Sequence, residues 1–536
     1  MKALSAQFGK LADALEAGAR RIRALRGWRR CAAAFVSGLA AALALAPFYV
    51  LPLLAVGFTT LIFLLDECAG MAKPRRSAFV MGWFFGFGYF LAGVYWMAFS
   101  FFVQADQFAW MAPFAMTGMP AFLALFTGMA ALITHLFWRQ GVRRILVFAA
   151  LWAVFEYLRG HILTGLPWNL TGQTLAGTAA GAQTAAWYGA YGLSFVATLL
   201  AAAPAARIGY GLNARASLKG LMAMLAGTAV LFTIGAARLA LPEPQTSNEN
   251  FVRIVQPNIP QREKIAPGMW GRNFNRQLEL STGAAPDGAR LFVIWPENGA
   301  PLLDEAPTAL DALSEQLPKN AVLIAGVARR SHDALDRERY YNSIMTVVET
   351  EHGRRIAGVY DKHHLVPFGE YLPFYELLNA VGLAQLTPYG DAGFSAGSGP
   401  QVMNAGGPSF APMICYEVIF PRALYPKGER PEWLLTVTND AWFGDTSGPR
   451  QHLDQARLRT IEAGLPMARS ANTGISALID ARGRILARVK LYERGRIDAP
   501  LPPALPPTLY EHVGDGLFFV MILGAFALGV WRRVAG

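Results

Sequence analysis

Hydrophobic and polar residues are distributed along this chain in two different ways. Up to residue 241 the apolar stretches are long, near 31–48, 49–65, 78–103, 112–138, 145–158, 185–206 and 218–240, and another follows at 514–531. A helix needs roughly 17–25 residues to cross a bilayer, so these eight stretches predict membrane spans. The fifth is short and contains Glu156. Between 251 and 505 the apolar runs shorten to strand length, at Val252–Gln256, Leu291–Trp295, Val322–Val327, Tyr341–Val348, Pro412–Cys415, Leu434–Thr438 and Ile475–Ile479. Helical patterns at 270–284, 307–317 and 448–464 interleave with them. That alternation predicts an α/β domain with helices outside a buried sheet, long enough to bury its own core. The predicted order is a basic segment at 1–30, a transmembrane domain of about seven spans at 31–241 and a proline-marked polar linker at 242–250. The α/β domain follows at 251–505, then a last span with a basic tail at 506–536.

Composition agrees with a membrane protein: 53% of the 536 residues are hydrophobic and only 16% charged. The net charge of +11 would suit a nucleic-acid partner, but the basic residues cluster in short runs beside apolar segments, as orientation signals do. No nucleic-acid partner is therefore expected. Lys2, Lys10, Arg20, Arg21, Arg23, Arg26, Arg29 and Arg30 face only Asp13 and Glu16 in the first thirty residues. Ala44-Leu-Ala46 resembles a signal cleavage site, but apolar sequence resumes from Tyr49 to Leu65, which favours an uncleaved first helix. With the N-terminus inside, the cytoplasmic loops hold Lys73, Arg75 and Arg76, then Arg139, Arg143 and Arg144, then Arg207, Arg215 and Lys219, and the tail Trp531-Arg-Arg533 is also inside. The opposite loops are nearly free of lysine and arginine; residues 159–184 have only Arg159. The pattern puts the α/β domain outside the cytoplasm. Glu156 within a span is either a functional group or half of an ion pair with Arg159. The glycines from Gly82 to Gly93 lie inside a span and predict close helix packing.

Candidate chemistry centres on Ser409-Phe-Ala-Pro-Met-Ile-Cys-Tyr-Glu-Val-Ile-Phe-Pro421, where an apolar run delivers Cys415 to a junction. Cys31 and Cys68 lie at the edges of the N-terminal apolar segments, so Cys415 has no disulfide partner in its own region. Alone, it reads as a small buried hydrophobe. Two further segments change that: Leu291-Phe-Val-Ile-Trp-Pro-Glu-Asn-Gly-Ala300, ending on Glu297, and Gly358–Tyr371, carrying Lys362. A carboxylate, an ammonium and a thiol at the ends of apolar strands form a coherent set. The first can take a proton from the thiol, and the second can stabilise an oxyanion. His363-His364 lacks metal-ligand spacing, and no phosphate loop is present, so neither metal nor cofactor is expected.

Trp295-Pro-Glu297, Tyr360-Asp-Lys-His-His-Leu-Val-Pro-Phe-Gly-Glu-Tyr371, Ile414-Cys-Tyr-Glu417 and Thr438-Asn-Asp-Ala-Trp-Phe-Gly444 together resemble the nitrilase superfamily. More narrowly, they resemble its membrane-embedded branch, the apolipoprotein N-acyltransferases, and with the apolar flanks the similarity covers nearly the whole chain. The resemblance implies a nitrilase-like α-β-β-α sandwich and a Glu297–Lys362–Cys415 triad. It further implies that Glu370 and Glu417 orient Lys362 or substrate, that Tyr416 and Asn439 support the site, and that Trp442 and Phe443 wall an acyl pocket. The donor would be a membrane phospholipid, and the acceptor the N-terminal amine of a diacylglyceryl-cysteine on an apolipoprotein. A monomer in the bacterial inner membrane is expected, with its catalytic domain periplasmic. A membrane-tethered carbon–nitrogen hydrolase would use the same triad. A transporter would need charges in several spans, and only Glu156 qualifies.

One motif departs from the family. An aromatic residue usually follows Asn-Ile-Pro-Gln closely, whereas here Asn258-Ile-Pro-Gln261 leads to Lys264-Ile265, with Trp270 later. Residues 367–390 are unusually apolar for a loop and predict a membrane-facing lid carrying Phe374, Tyr375 and Leu378; a fixed helix is the alternative.

Overall fold

The computed structural model describes residues 2–531 apart from 211, 213, 285–287, 301, 333–335, 374, 376–379, 381–392 and 423. The chain forms two compact units: Met1–Leu241 with Thr446–Asp454 and Thr508–Gly536, and Pro242–Asp445 with Gln455–Pro507.

In the first unit, five stretches among the described residues are long and apolar enough to cross a membrane: Leu51–Cys68, Pro74–Phe102, Ala105–Leu136, Ala185–Ala206 and Ala216–Leu239. Helices Trp28–Ala42, Val142–Arg159 and Gly516–Val530 also belong to this unit, and the basic N-terminal segment forms a further helix, Lys2–Arg23. The span expected at 31–48 is shorter than its apolar run, because the helix ends at Ala42 and the chain turns before Pro47, which has no N–H to continue it. Gly38 and Gly88 face each other's helices so closely that a methyl group on either would overlap backbone of the other. Gly82 and Gly86 stand in the same way against Thr127. With no hydrophobic drive between helices in lipid, such close packing carries their association.

Charged groups of this unit are tied to particular partners. Asp66 accepts from Arg23 (2.6 Å) and the Trp138 indole (3.1 Å) and forms an ion pair with Arg144 (3.2 Å). Glu156 and Arg159 act on each other electrostatically but make no direct ion pair. Glu156 accepts the Thr171 backbone N–H (2.9 Å) and hydroxyl (2.7 Å), while Arg159 donates to the carbonyls of Leu166 (2.6 Å) and Trp168 (2.7 Å). Both side chains serve the loop that follows their helix, whose buried backbone groups need partners where water is scarce. Residues 446–454 join this unit through Gln451, whose side-chain carbonyl accepts the indoles of Trp96 (3.2 Å) and Trp168 (2.7 Å), and through Asp454, which accepts the Tyr49 hydroxyl (2.6 Å).

Among the described residues, the second unit contains eleven strands in two sheets: β1 (Asn250–Gln256), β2 (Arg290–Trp295), β3 (Ala321–His332), β4 (Glu338–Thr350), β5 (Gly353–Asp361), β6 (Phe410–Ile414), β7 (Trp433–Thr438), β8 (Met467–Ala471), β9 (Ser476–Ile479), β10 (Ile485–Val489) and β11 (Gly495–Pro500). The first sheet runs β11-β1-β2-β3-β4-β5 and the second β10-β9-β8-β7-β6. In each, three strands are parallel (β1, β2, β3 and β6, β7, β8) and the rest antiparallel.

Strand periodicity sorts the side chains. Val252, Ile254, Phe292, Ile294, Val322 and Ile324 meet Phe410, Ile414, Trp433, Leu435 and Val437 between the sheets. Their alternates Val255, Leu291, Val293, Trp295 and Leu323 pack outward against Phe274, Leu278 and Leu313 of helices Trp270–Ser281 and Pro307–Gln316. Buried Ala456, Leu458 and Ile461 of helix Gly448–Ala463 supply the other outer layer. The α-β-β-α sandwich follows from burying both faces of both sheets.

Four strands, β5, β8, β10 and β11, have no counterpart among the expected ones. Three are sheet edges that carry charge at some exposed positions, Arg355 on β5, Arg488 on β10, and Arg496 and Asp498 on β11. The fourth, β8, is central, but Arg469 and Ser470 interrupt its apolar pattern and are buried on specific partners, Asp440 (2.7 Å) and the Val255 carbonyl (2.9 Å).

Arg253 of β1 fastens the outer helix. Its guanidinium meets Asp498 of β11 at 2.6 Å and donates to the carbonyls of Ser281 (2.9 Å), Thr282 (2.9 Å) and Gly283 (2.7 Å), the end of Trp270–Ser281. Arg253→Met strands those carbonyls and should destabilise the protein by roughly 2–3 kcal/mol. A lowered thermal unfolding midpoint of the purified full-length chain checks this; an unchanged midpoint contradicts it.

Candidate active site

Each chemically distinctive side chain stands just past the C-terminal end of a strand. Pro296 stops β2 after the fully buried Trp295, and Glu297 follows in the turn. The turn lies so close to β3 that a side chain at Gly326 would collide with the Glu297 backbone. Lys362 directly follows β5, its N–H donating to the Asn342 carbonyl and its own carbonyl accepting from Gly397, both at 2.8 Å. Cys415 directly follows β6 and opens the 3-10 turn Cys415–Ile419 with φ of 50°. A left-handed conformation at a residue with a Cβ costs on the order of 1–3 kcal/mol and is held only where surroundings over-determine it.

Glu417 supplies much of that constraint. Fully buried, it accepts the Ile414 N–H (2.7 Å) on one oxygen and the Tyr360 hydroxyl (2.8 Å) and the His363 (2.9 Å) and His364 (3.2 Å) N–H groups on the other. It thus ties the Cys415 turn to the segment after Lys362. Burial would raise its carboxyl, but the His363 imidazole at 2.8 Å, Lys362 and the Ile414 N–H outweigh that and hold it below the usual carboxylate range.

Lys362 is buried, and its ammonium meets both oxygens of Glu370, at 2.8 and 2.7 Å. Burial opposes the charge, but Glu370 and Glu297 outweigh it and raise the pKa above the ordinary lysine value. The amide nitrogen of Asn342, in β4, donates to Glu297 Oε1 (2.7 Å) and to Glu370 Oε1 (2.8 Å). Only a group with two N–H bonds can serve two carboxylates at once. Sequence reading passed over Asn342; its one signal is a polar side chain inside the apolar run of β4.

Burial raises the Glu297 carboxyl, Lys362 opposes the shift and Glu370 adds to it. The half-buried Cys415 thiol is raised by burial and by Glu297, opposed by Lys362 and a hydrogen bond with Thr438. Carboxyl and thiol thus both favour the protonated form, and one proton passing between them changes no net charge. Such a pair can generate a thiolate on demand, with an ammonium beside it for an oxyanion. A second lysine, Lys264, donates to the Glu297 backbone carbonyl at 2.6 Å, and burial pushes its pKa down to about 8 against the opposing pull of Glu297 and Cys415.

The remaining expected residues have varied surroundings. Tyr416 is buried against His364 and Phe420, its ring centroid 5.6 and 5.0 Å from theirs. Asn439 lies in a structural network, donating to Gln261 (2.7 Å) and accepting from Asn472 (3.0 Å), which in turn holds Ile259. Trp442 and Phe443 are half-buried on the short turn Asp440–Phe443. Phe374 and Leu378 lie outside the described residues, and Tyr375 is half-buried. Trp270 does not take the place of the aromatic residue missing after Gln261; it stacks on Phe274 (5.1 Å) against the outer core, and Ile265 is exposed. His363 and His364 are occupied by Glu417 and by the Phe420 ring (3.8 Å).

Residues 37–203 match the family model of the apolipoprotein N-acyltransferase N-terminal domain, and residues 251–505 that of carbon-nitrogen hydrolases. The apolipoprotein N-acyltransferase of Rhodopseudomonas palustris is 40% identical over 520 residues, 95% of this chain and 96% of that one. That of Bradyrhizobium diazoefficiens is 41% identical over 521 residues, again 95% and 96%. Among solved structures, an amidase of the nitrilase superfamily from Nesterenkonia AN1 is similar at 17% identity and a TM-score of 0.35, covering 51% of this chain and 97% of its own. Motifs, two-sheet unit, membrane helices and full-length relatives agree: this chain belongs to the apolipoprotein N-acyltransferase family.

Proposed function

We propose that this protein moves an acyl chain from a membrane phospholipid, through a thioester on Cys415, to the N-terminal amine of a diacylglyceryl-cysteine on an apolipoprotein. The observation that carries the reading is the convergence of Glu297, Lys362 and Cys415 at strand ends, with Glu370 on the Lys362 ammonium, in a chain that also bears membrane-crossing helices. Glu297 takes the Cys415 proton as the sulfur attacks the ester carbonyl. Lys362 stabilises the tetrahedral oxyanion, positioned by Glu370. Collapse breaks the carbon–oxygen ester bond, and Glu297 returns the proton to the departing lysophospholipid oxygen. In the second half the amine attacks the thioester, Glu297 takes its proton, and the carbon–sulfur bond breaks to restore the thiol. Glu297 gives one proton to the lysophospholipid and regains one from the amine for the Cys415 sulfur, so protons balance over the turnover. Membrane helices in the same chain favour a lipid donor and a lipid-anchored acceptor over a small soluble amide.

Cys415→Ala should abolish both labelling by a phospholipid with a radioactive acyl chain and transfer to an acceptor peptide. Cys415→Ser should retain only a trace, because a hydroxyl ionises less readily than a thiol. Persistent covalent labelling of the alanine variant would refute the nucleophile.

The raised Glu297 carboxyl sets the pH dependence. Its ionised form is the one that accepts the proton, so thioester formation should fall as pH drops through a midpoint above the usual 4.5 of a glutamate. Glu297→Gln should lower that rate by about 10²–10⁴-fold at neutral pH. Single-turnover labelling across pH 4–9, on the order of this range, reads both effects; a midpoint at or below the ordinary value is the contrary result.

The basic loops support a bacterial inner-membrane location with the α/β unit periplasmic. Reporters fused after Leu241 should read as periplasmic, and those after residue 212 or at the C-terminus as cytoplasmic. A cytoplasmic signal after Leu241 would reverse the orientation.

A further inference from the structure

Charge in the buried part of the site can be balanced group by group. Asp440 is matched by Arg469 at 2.7 Å, both side chains fully buried. Glu417 is solvated by the Tyr360 hydroxyl, the His363 ring and three backbone N–H groups. Glu370 takes Lys362 through both oxygens. Lys362 also acts on Glu297 and Cys415, but one ammonium cannot balance two carboxylates, so among the described residues one negative charge remains, on Glu297 or on the Cys415 thiolate once the proton has moved, and Asn342 solvates it without neutralising it. An uncompensated buried charge is expensive, so a cation is required.

Lys264 occupies that place. Its ammonium sits 2.6 Å from the Glu297 carbonyl oxygen and acts electrostatically on both the Glu297 carboxylate and Cys415. The loop that presents it is held firmly. Ile259 is paired with Asn472 in both directions (3.0 and 2.8 Å), Gln261 with Asn439 (2.7 Å), and the Lys264 N–H donates to Pro260 (3.0 Å). The charged neighbours on its own short helix are engaged elsewhere or exposed: Glu263 pairs with Arg272 (2.8 Å) and Arg276 (3.9 Å), and Arg262 is exposed. From the other elements the groups that face it are Glu297 after β2 and Cys415 after β6, with Lys362 and Glu370 behind Glu297, and Asp440, already matched, behind Cys415.

We propose that Lys264 is a positioning residue and the second cation of the site, holding the Glu297 turn and neutralising the single negative charge that Glu297 and Cys415 share. The proposal rests on the reading of Cys415 and Glu297 given above. It assigns Lys362 to the oxyanion and Glu370, and Lys264 to the proton-sharing pair. Because its pKa is pushed down to about 8, the cation is lost in mildly alkaline solution, and with it the stabilisation of the shared charge.

The test is single-turnover thioester formation against pH, using the full-length enzyme in micelles with an acyl-labelled phospholipid and no acceptor, so that no amine titrates. Lys264→Gln keeps an N–H for the Glu297 carbonyl without the charge. It should slow thioester formation tenfold or more and move the acidic limb up by about one pH unit or more. Wild type should decline above about pH 8, and Lys264→Arg, always charged, should keep the rate and lose that decline. Unchanged limbs in Lys264→Gln, or slowing by one factor at every pH, would overturn the cation role and leave the Cys415 reading standing. Absence of thioester in the wild type would instead overturn that reading, and this inference with it.

Discussion

One negative charge, shared between a carboxyl and a thiol in a place with little water, is the constraint on which the site depends. Neither Glu297 nor Cys415 ionises easily where it stands, and the reaction proposed above has one hand a proton to the other. That exchange leaves the net charge unchanged, which is why it can occur in low dielectric. The surrounding polar groups have matching duties: Asn342 bridges two carboxylates, Lys362 is fixed by Glu370, and Lys264 rests on the Glu297 backbone. A site assembled from half-matched charges would instead lose its geometry to whichever group found a better partner.

The sandwich makes this arrangement possible by bringing strand ends from two sheets together. Glu297 and Lys362 follow β2 and β5 of the first sheet, and Cys415 follows β6 of the second. The interleaved core of Ile294, Tyr360, Ile414 and Trp433 fixes the distance between the sheets and therefore among the three groups. Glu417 then joins the Cys415 turn to the segment after Lys362 across that gap. The two glutamates beside Lys362 and Cys415 are therefore unlike. Glu370 addresses the lysine ammonium, whereas Glu417 holds backbone and a left-handed cysteine in place.

The same rule of satisfied polarity operates in the helical unit at different positions. Glu156 and Arg159 look like an ion pair at helical spacing, yet each is spent on the loop after its helix. In hydrocarbon, an exposed backbone carbonyl or N–H costs several kcal/mol, so irregular chain near a membrane helix takes the nearest strong donors and acceptors.

Local pattern was sufficient for much of this protein. Continuous apolar runs marked the membrane-length helices of the first unit, and short ones leading to Glu297 and Cys415 marked β2 and β6, because burial demands apolar side chains wherever a strand lies between two layers. Edge strands β5, β10 and β11 escaped, since half-exposed positions tolerate charge, and β8 escaped because its arginine and serine are satisfied by partners far along the chain. Asn342 and Lys264 escaped for the same reason: their partner Glu297 lies 45 and 33 residues away, and nothing in their immediate neighbours announces it. Sequence by itself determined which residues could carry the chemistry and which stretches could be buried. Only the tertiary structure decided which charge answers which, because Coulombic and hydrogen-bonding partners are chosen by distance in space, and that distance is fixed by packing between sheets.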